Sequence, residues 1–336
     1  RGYALSAMKH TGMMKFVCIL STYTNKQRRR KVKLENLAEK GKIILNRKTK
    51  KRLFVIAMLA IPVIHFFVFW LWVNIDSILL VFQNNVGDWI GLENLRWVFT
   101  SFTDNPYLDM TEATVNTLIF FAWNMFIELP IAVVLAYVFF KKIPGNKFFT
   151  VCLYIPCIIT PTVMTTVFKN FVGSDGPIAL LWEAMGKRWV YPVTQDSTAM
   201  ITLLIYQLWT GYGLNIILFR SAMNRIPKEI FESASLDGIT IGKELTQIIV
   251  PLIWPMMTTM IILSVASIFN AQGPILLFTN GDYGTMTIGF SMYLQYKVYG
   301  MVSRAAAIGL VFTCIGIPLV FFTRWLSGKI GGEYEY

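Results

Sequence analysis

The chain has 336 residues, of which 55% are apolar and only 15% charged, and a formal net charge of +12. A mean hydropathy of +0.53 excludes an ordinary soluble domain and leaves room for several spans of about 20 residues. The charge is uneven: residues 1–52 hold 16 Lys and Arg against Glu35 and Glu39, while the remainder has 15 bases and 17 acids. A basic block that abuts a span more often holds it cytoplasmic and touches anionic lipid than binds nucleic acid, so no nucleic-acid partner is expected.

In chain order, the apolar patch 16–20 is too short to span, and no small-residue cleavage site follows an apolar core, so a signal peptide is not expected. Residues 27–33 are a solvated basic run, and 32–45 fit a surface amphipathic helix. The first span is expected over 53–73. A loop over 75–116 follows, with six acids against Arg96. The second span, 117–140, ends at Lys141, Lys142 and Pro144. The third, 148–168, is interrupted by Pro156 and Pro161. A loop over 169–198 leads to the fourth span, 199–219, and the fifth and sixth cover 248–270 and 305–325. Six spans leave both termini on one side. If that side is the cytoplasm, inner segments hold 25 Lys and Arg and outer loops 6, which orients both termini inward. The expected organisation is a basic cytoplasmic segment over 1–52, an all-α membrane domain over 53–325, and a cytoplasmic tail over 326–336.

No constellation for bond chemistry stands out. His10 and His65 are far apart, Cys18, Cys152, Cys157 and Cys314 form no CxxC, and neither a metal site nor a disulfide is expected. The stretch Gly238–Lys243 fails as a phosphate loop, because Asp237 and Glu244 stand where Gly and Ser or Thr are needed. The chain is not expected to be an enzyme or to bind ATP by that route.

The segment between the fourth and fifth spans is different. Residues 228–236 are good helix formers, Gly238 and Gly242 break the run, and a second short helix over 243–250 leads to Pro251 and Pro255. Two short helices around a glycine turn make a folded loop able to dock a partner, with Gly238 supplying a positive φ.

The residues of this loop resemble the EAA loop of ABC-importer permeases. Glu232, Ala234 and Gly238, then nine residues, then Ile248 and Pro251 carry the pattern, with Ser233 and Val250 as conservative departures and Asp237 as in the carbohydrate branch. Asn116–Thr117, Thr279-Asn-Gly-Asp, Tyr299-Gly and Ala305-Ala-Ala extend the likeness to binding-protein-dependent importers of the maltose and glycerol-phosphate type. The resemblance implies a six-span type I permease in a bacterial cytoplasmic membrane, with a coupling helix in the loop 226–251. It implies docking to ATPase subunits through Glu232, Ser233, Ala234, Asp237, Gly238 and Pro251. It also implies a second permease, two ATP-binding subunits that hold ATP and Mg, and an external solute-binding protein that delivers a sugar.

A polyhydroxylated substrate needs amides, hydroxyls and aromatic faces inside the apolar bundle. The fourth span offers Tyr206, Gln207, Trp209, Thr210, Gly211, Tyr212 and Asn215, with helical spacing bringing Tyr206, Gln207, Thr210 and Gly211 near one face. The resemblance adds that the positions of Gln207 and Gly211 line the sugar site. The third span offers Tyr154 and Thr160, and the fifth offers Ser264, Ser267, Asn270 and Gln272. Such groups also serve helix packing. Glu128 lies near mid-membrane, where a bare charge costs at least ~2.5–3.5 kcal/mol. It pairs with Asn124, contacts a partner or substrate, or carries a proton in a secondary transporter. That alternative also predicts several paired intramembrane charges and inverted repeats, neither of which this sequence displays. A membrane scaffold would need neither the polar fourth span nor the loop.

Overall fold

The computed structural model describes residues 47–103, 108–270 and 274–331. Among these residues every regular element is helical, and the only paired extended backbone is one bridge between Gln83 and Trp89. They fall into two units. One ends at Val73 and comprises the helix Arg47–His65 with the π-type turns Phe66–Trp72. The other begins at Asn74 and carries the rest. The expected basic segment lies outside the described residues up to residue 46, as do the surface helix over 32–45 and residues 332–336.

Among the described residues four helices are long and apolar enough to cross a membrane: Lys48–Leu80, Met110–Phe140, Ala199–Met223 and Val302–Ile330. Two bent pairs raise the number to six if each pair counts as one span. The third span, expected over 148–168 with an interruption at Pro156 and Pro161, is a sharply bent pair of helices. Asn146–Ile158 and Pro161–Ala184 meet at 108°. Thr160 precedes a proline and takes an extended ψ of 142°, and Pro161 starts the next helix without an N–H to pair. The fifth span also bends, by 71° between Ile241–Leu252 and Trp254–Ala266, where Pro255 has no N–H to continue the ladder. Its first helix begins at Ile241, so Gly242 lies within helix rather than breaking it. The second span starts at Met110, ahead of the expected Thr117. Asp109 caps it, accepting from the backbone N–H of Thr111 at 2.8 Å and of Glu112 at 3.1 Å. The expected loops carry short helices of their own, Glu93–Thr100 and Pro177–Ala184.

Among the described residues three apolar clusters hold the second unit together. One joins Ala136 to Phe219 and Ile249; a second joins Phe120 to Phe168, Leu203 and Phe290; a third joins Val98 to Met110, Ile308 and Phe312. Because lipid is as apolar as these side chains, close packing and buried polar bonds carry much of the specificity. The pair Asn116–Thr117 is one such device. Asn116 donates to the carbonyls of Gly284 at 3.0 Å and Met286 at 2.8 Å, and the Thr117 hydroxyl accepts from the N–H of Ile288 at 3.1 Å. These bonds tie the Met110–Phe140 helix to the segment that precedes the last helix.

Candidate functional site

Midway along Met110–Phe140 the helix widens into π-type turns over Asn124–Glu128. Such bulges re-aim side chains and recur at functional positions. Here they separate the Phe120 cluster from the Leu129 cluster and turn polar groups toward neighbouring helices. Glu128 is 3% exposed. Its Oε2 accepts from the amide of Asn124 at 3.1 Å and, at the long limit of 3.5 Å, from the amide of Gln207. The Oδ1 of Asn124 in turn accepts from the Ser264 hydroxyl at 2.7 Å. The chain of bonds through Glu128 and Asn124 thus links three helices, and its two amide donors answer much of the cost of burying the carboxylate.

Gly211, one turn beyond Gln207, lies against this carboxylate. A Cβ there would stand 2.9 Å from Glu128 Cδ and closer still to Oε1. The glycine is what allows the Ala199–Met223 helix to approach.

Asn124 and Gln207 line a cavity of about 320 Å3 together with Asn215, Ser264, Ser267 and the ring of Phe121. That volume falls in the range of small-ligand sites. Gln207 also borders a second cavity of about 350 Å3, with Thr165, Tyr206 and Thr210, beside the 108° bend. Of the sequence candidates, Gln207, Asn215 and Ser267 therefore meet around one space. Gly211 lies behind it, against Glu128. Asn270 faces a different cavity, among Phe269, Met292 and Phe312. Tyr212 and Tyr154 pack in the apolar cluster with Leu129 and Ile216. Trp209 packs on the rings of Phe168 and Tyr206. Thr160 stands at the bend, its carbonyl accepting from the N–H of Met164. Gln272 lies outside the described residues.

The loop after Ala199–Met223 forms the helix Lys228–Leu236. It ends in a Schellman arrangement: the N–H of Ile239 bonds to the carbonyl of Ala234 and that of Gly238 to the carbonyl of Ser235, both at 3.2 Å. Gly238 has φ +69°, with nothing within 4 Å of a Cβ built there. Conformation, not crowding, makes glycine the favoured residue at this turn. Ala234 is buried against the body, while Glu232, Ser233 and Asp237 are exposed and Pro251 is half-buried. Leu236 and Ile241, 89% and 73% exposed, add apolar surface at the tip.

The base of the loop is fastened by residues that sequence reasoning passed over. Phe231 packs on Phe140 with ring centroids 5.3 Å apart. Lys141 stands over the rings of Phe231 and Tyr137 and ion-pairs with Glu244. In the sequence Lys141 reads only as a basic flank. The signal available was its place at a helix end opposite an acid in a neighbouring loop.

No protein-family model matches the chain. It is 24% identical over 284 residues to the arabinooligosaccharides transport system permease protein AraP of Bacillus subtilis (strain 168), covering 81% of this chain and 87% of that one. It is 21% identical over 315 residues to the polygalacturonan/rhamnogalacturonan transport system permease protein YteP of the same organism, covering 88% and 96%. Among solved structures, a bacterial ABC transporter involved in the import of the acidic polysaccharide alginate superposes with a TM-score of 0.75 at 22% identity, over 85% of this chain and 99% of that one. The chain therefore shares the fold of that transporter structure. Along most of its length it is similar to bacterial saccharide-transport permeases.

Proposed function

We propose that this chain is the transmembrane subunit of an ATP-driven importer that translocates a sugar or oligosaccharide delivered by an external solute-binding protein. A second permease completes the pathway, two separate ATP-binding subunits hold ATP and Mg on the cytoplasmic side, and both termini lie in the cytoplasm. The chain performs no bond chemistry. The coupling surface is Glu232, Ser233, Ala234, Asp237, Gly238 and Pro251, and the substrate path runs past Gln207, Asn215 and Ser267.

One observation carries this reading. The exposed tip around Gly238 is fastened through Phe231, Lys141 and Glu244 to the end of the helix that bears Asn124 and Glu128. Movement imposed on the tip by closing ATPase subunits is therefore passed to the cavity wall through packed, ion-paired contacts rather than through a slack loop. The relatives named for saccharide transport support the substrate class.

The test is Gly238→Trp. Its φ of +69° disfavours a bulky side chain, and the indole would project from the docking surface. The membrane-inserted variant is expected to lose its ATPase subunits during purification, or to carry them without ATP-dependent sugar uptake. Retention of both by the variant, or uptake by the wild type driven by a proton gradient without ATP, would contradict the reading.

A further inference from the structure

Resting on the importer reading, we propose that Glu128 is a positioning residue. Its carboxylate fixes the amides of Asn124 and Gln207 so that the Gln207 carbonyl oxygen is left as an acceptor on the cavity wall, and the saccharide carried is uncharged rather than a uronate.

The side chains around the 320 Å3 cavity are aromatic, aliphatic, amide or hydroxyl, and none is charged. Behind them stands Glu128, with no lysine, arginine or histidine ion-paired to it among the described residues. A carboxylate oxygen receiving two amide donors dictates which way those amides turn: nitrogen toward Glu128, oxygen away. For Asn124 the oxygen is taken by the Ser264 hydroxyl. For Gln207 it has no protein partner among the described residues and belongs to a side chain on the cavity wall. Sugar hydroxyls are donors as well as acceptors, and a wall with a fixed carbonyl oxygen, Asn215, Ser267 and an aromatic ring suits them. A uronate would bring its negative charge toward an acceptor oxygen and a buried carboxylate, with no cation among the residues that line this cavity to receive it. The likeness to known permeases does not decide between the two, since their names include both neutral and acidic saccharides. In this chain's part of the pathway the side chains favour the neutral saccharide.

Gly211 completes the device. Without a Cβ there, the carboxylate lies flat against the helix that carries Gln207. Any side chain would push Glu128 away from the amide it orients.

The experiment uses the purified complex with its ATPase subunits in lipid nanodiscs and saturation-transfer NMR. The probes are neutral trisaccharides of arabinose, glucose and galactose, and trisaccharides of galacturonate and mannuronate. In the wild type, at least one neutral probe is expected to exceed both uronates by about tenfold, the discrimination of one missing charge partner. Glu128→Gln, which removes the charge but keeps the shape, is expected to bring that ratio down to within about twofold. A residue that merely holds the fold would lower both signals together and leave the ratio unmoved. Gly211→Ala, which retains the carboxylate but displaces it, is expected to weaken the neutral signal. A wild-type complex that takes uronate as well as any neutral probe, shows no neutral binding, or keeps its ratio in Glu128→Gln overturns the inference. If such a complex still imports with ATP, the importer reading stands and only this inference falls.

Discussion

Glu232 and Glu128 are the same side chain put to opposite uses. Glu232 stands exposed on a helix of nine residues that ends in a glycine turn, with Leu236 almost wholly exposed one turn later. Glu128 is sealed in a widened turn, held by Asn124 and Gln207, and pressed on a helix that has glycine where it touches. The exposed carboxylate is available to another chain, since nothing in its own chain claims it among the described residues. The buried one is committed, and what it offers is the orientation of its neighbours. An exposed side chain on the loop tip can thus be changed without breaking the bonds that shape the cavity. A change at Asn124, Gln207 or Ser264 breaks a bond of the network that joins the helices.

That contrast predicts a separation of effects. Gln207→Leu removes an amide from the cavity wall and is expected to lower sugar uptake by about tenfold or more, the cost of one lost substrate hydrogen bond, while the complex still carries its ATPase through purification. Asn270→Leu, which faces a different cavity, should lower uptake less. Glu232→Lys is expected to do the reverse, weakening ATPase retention through a charge reversal at the proposed docking surface while leaving saccharide binding to the cavity intact. Uptake and co-purification measured on the same preparations decide the matter. If Gln207→Leu strips the ATPase, or Glu232→Lys abolishes saccharide binding, the two regions are not separable in the way drawn here.

A smaller effect is expected where the fold is merely held together. Asn116→Ala deletes two bonds to the carbonyls of Gly284 and Met286 and should destabilise the chain by about 1–3 kcal/mol. A lower unfolding temperature of the purified complex would register this, with the folded fraction docking its ATPase and transporting normally. An unchanged unfolding temperature would mean that the two carbonyls find other donors.

Much of the fold was legible because hydropathy alone marks segments that lipid must surround. The helix in the loop over 226–251 was equally legible. Its formers, its lack of an interior glycine or proline, and Gly238 at its end are local signals, and the helix spans Lys228–Leu236 as read from them. The bends were not legible in degree. Pro156 and Pro161 announced an interruption, but a 108° turn depends on what the second helix packs against. The early start at Met110 was hidden because Asp109 acts by capping, a signal that a hydropathy window passes over. In the site, Gln207 and Gly211 share a helix face, as their spacing of four requires. Tyr212, one residue on, turns instead into an apolar cluster. The bond from Ser264 to Asn124 joins residues 140 apart in sequence, and no periodicity within either helix reports such a meeting.

The most direct test of the central claim is a cross-link from the loop tip. Asp237 is exposed beside the glycine turn. With Asp237→Cys in a chain stripped of its other cysteines, a short thiol-to-thiol reagent applied to membranes containing the complex should join this subunit to a separate ATP-binding subunit bearing a cysteine in its docking cleft. Trapping of nucleotide in the ATPase subunits should alter the yield of that adduct. The same cysteine should be protected from reagent added outside intact cells, whereas Val86→Cys, on an exposed part of the loop over 75–116, should react from there. An ATPase adduct with this labelling pattern is the predicted result. Labelling of position 237 from outside, or a transporting complex whose tip yields no ATPase adduct, would contradict the account.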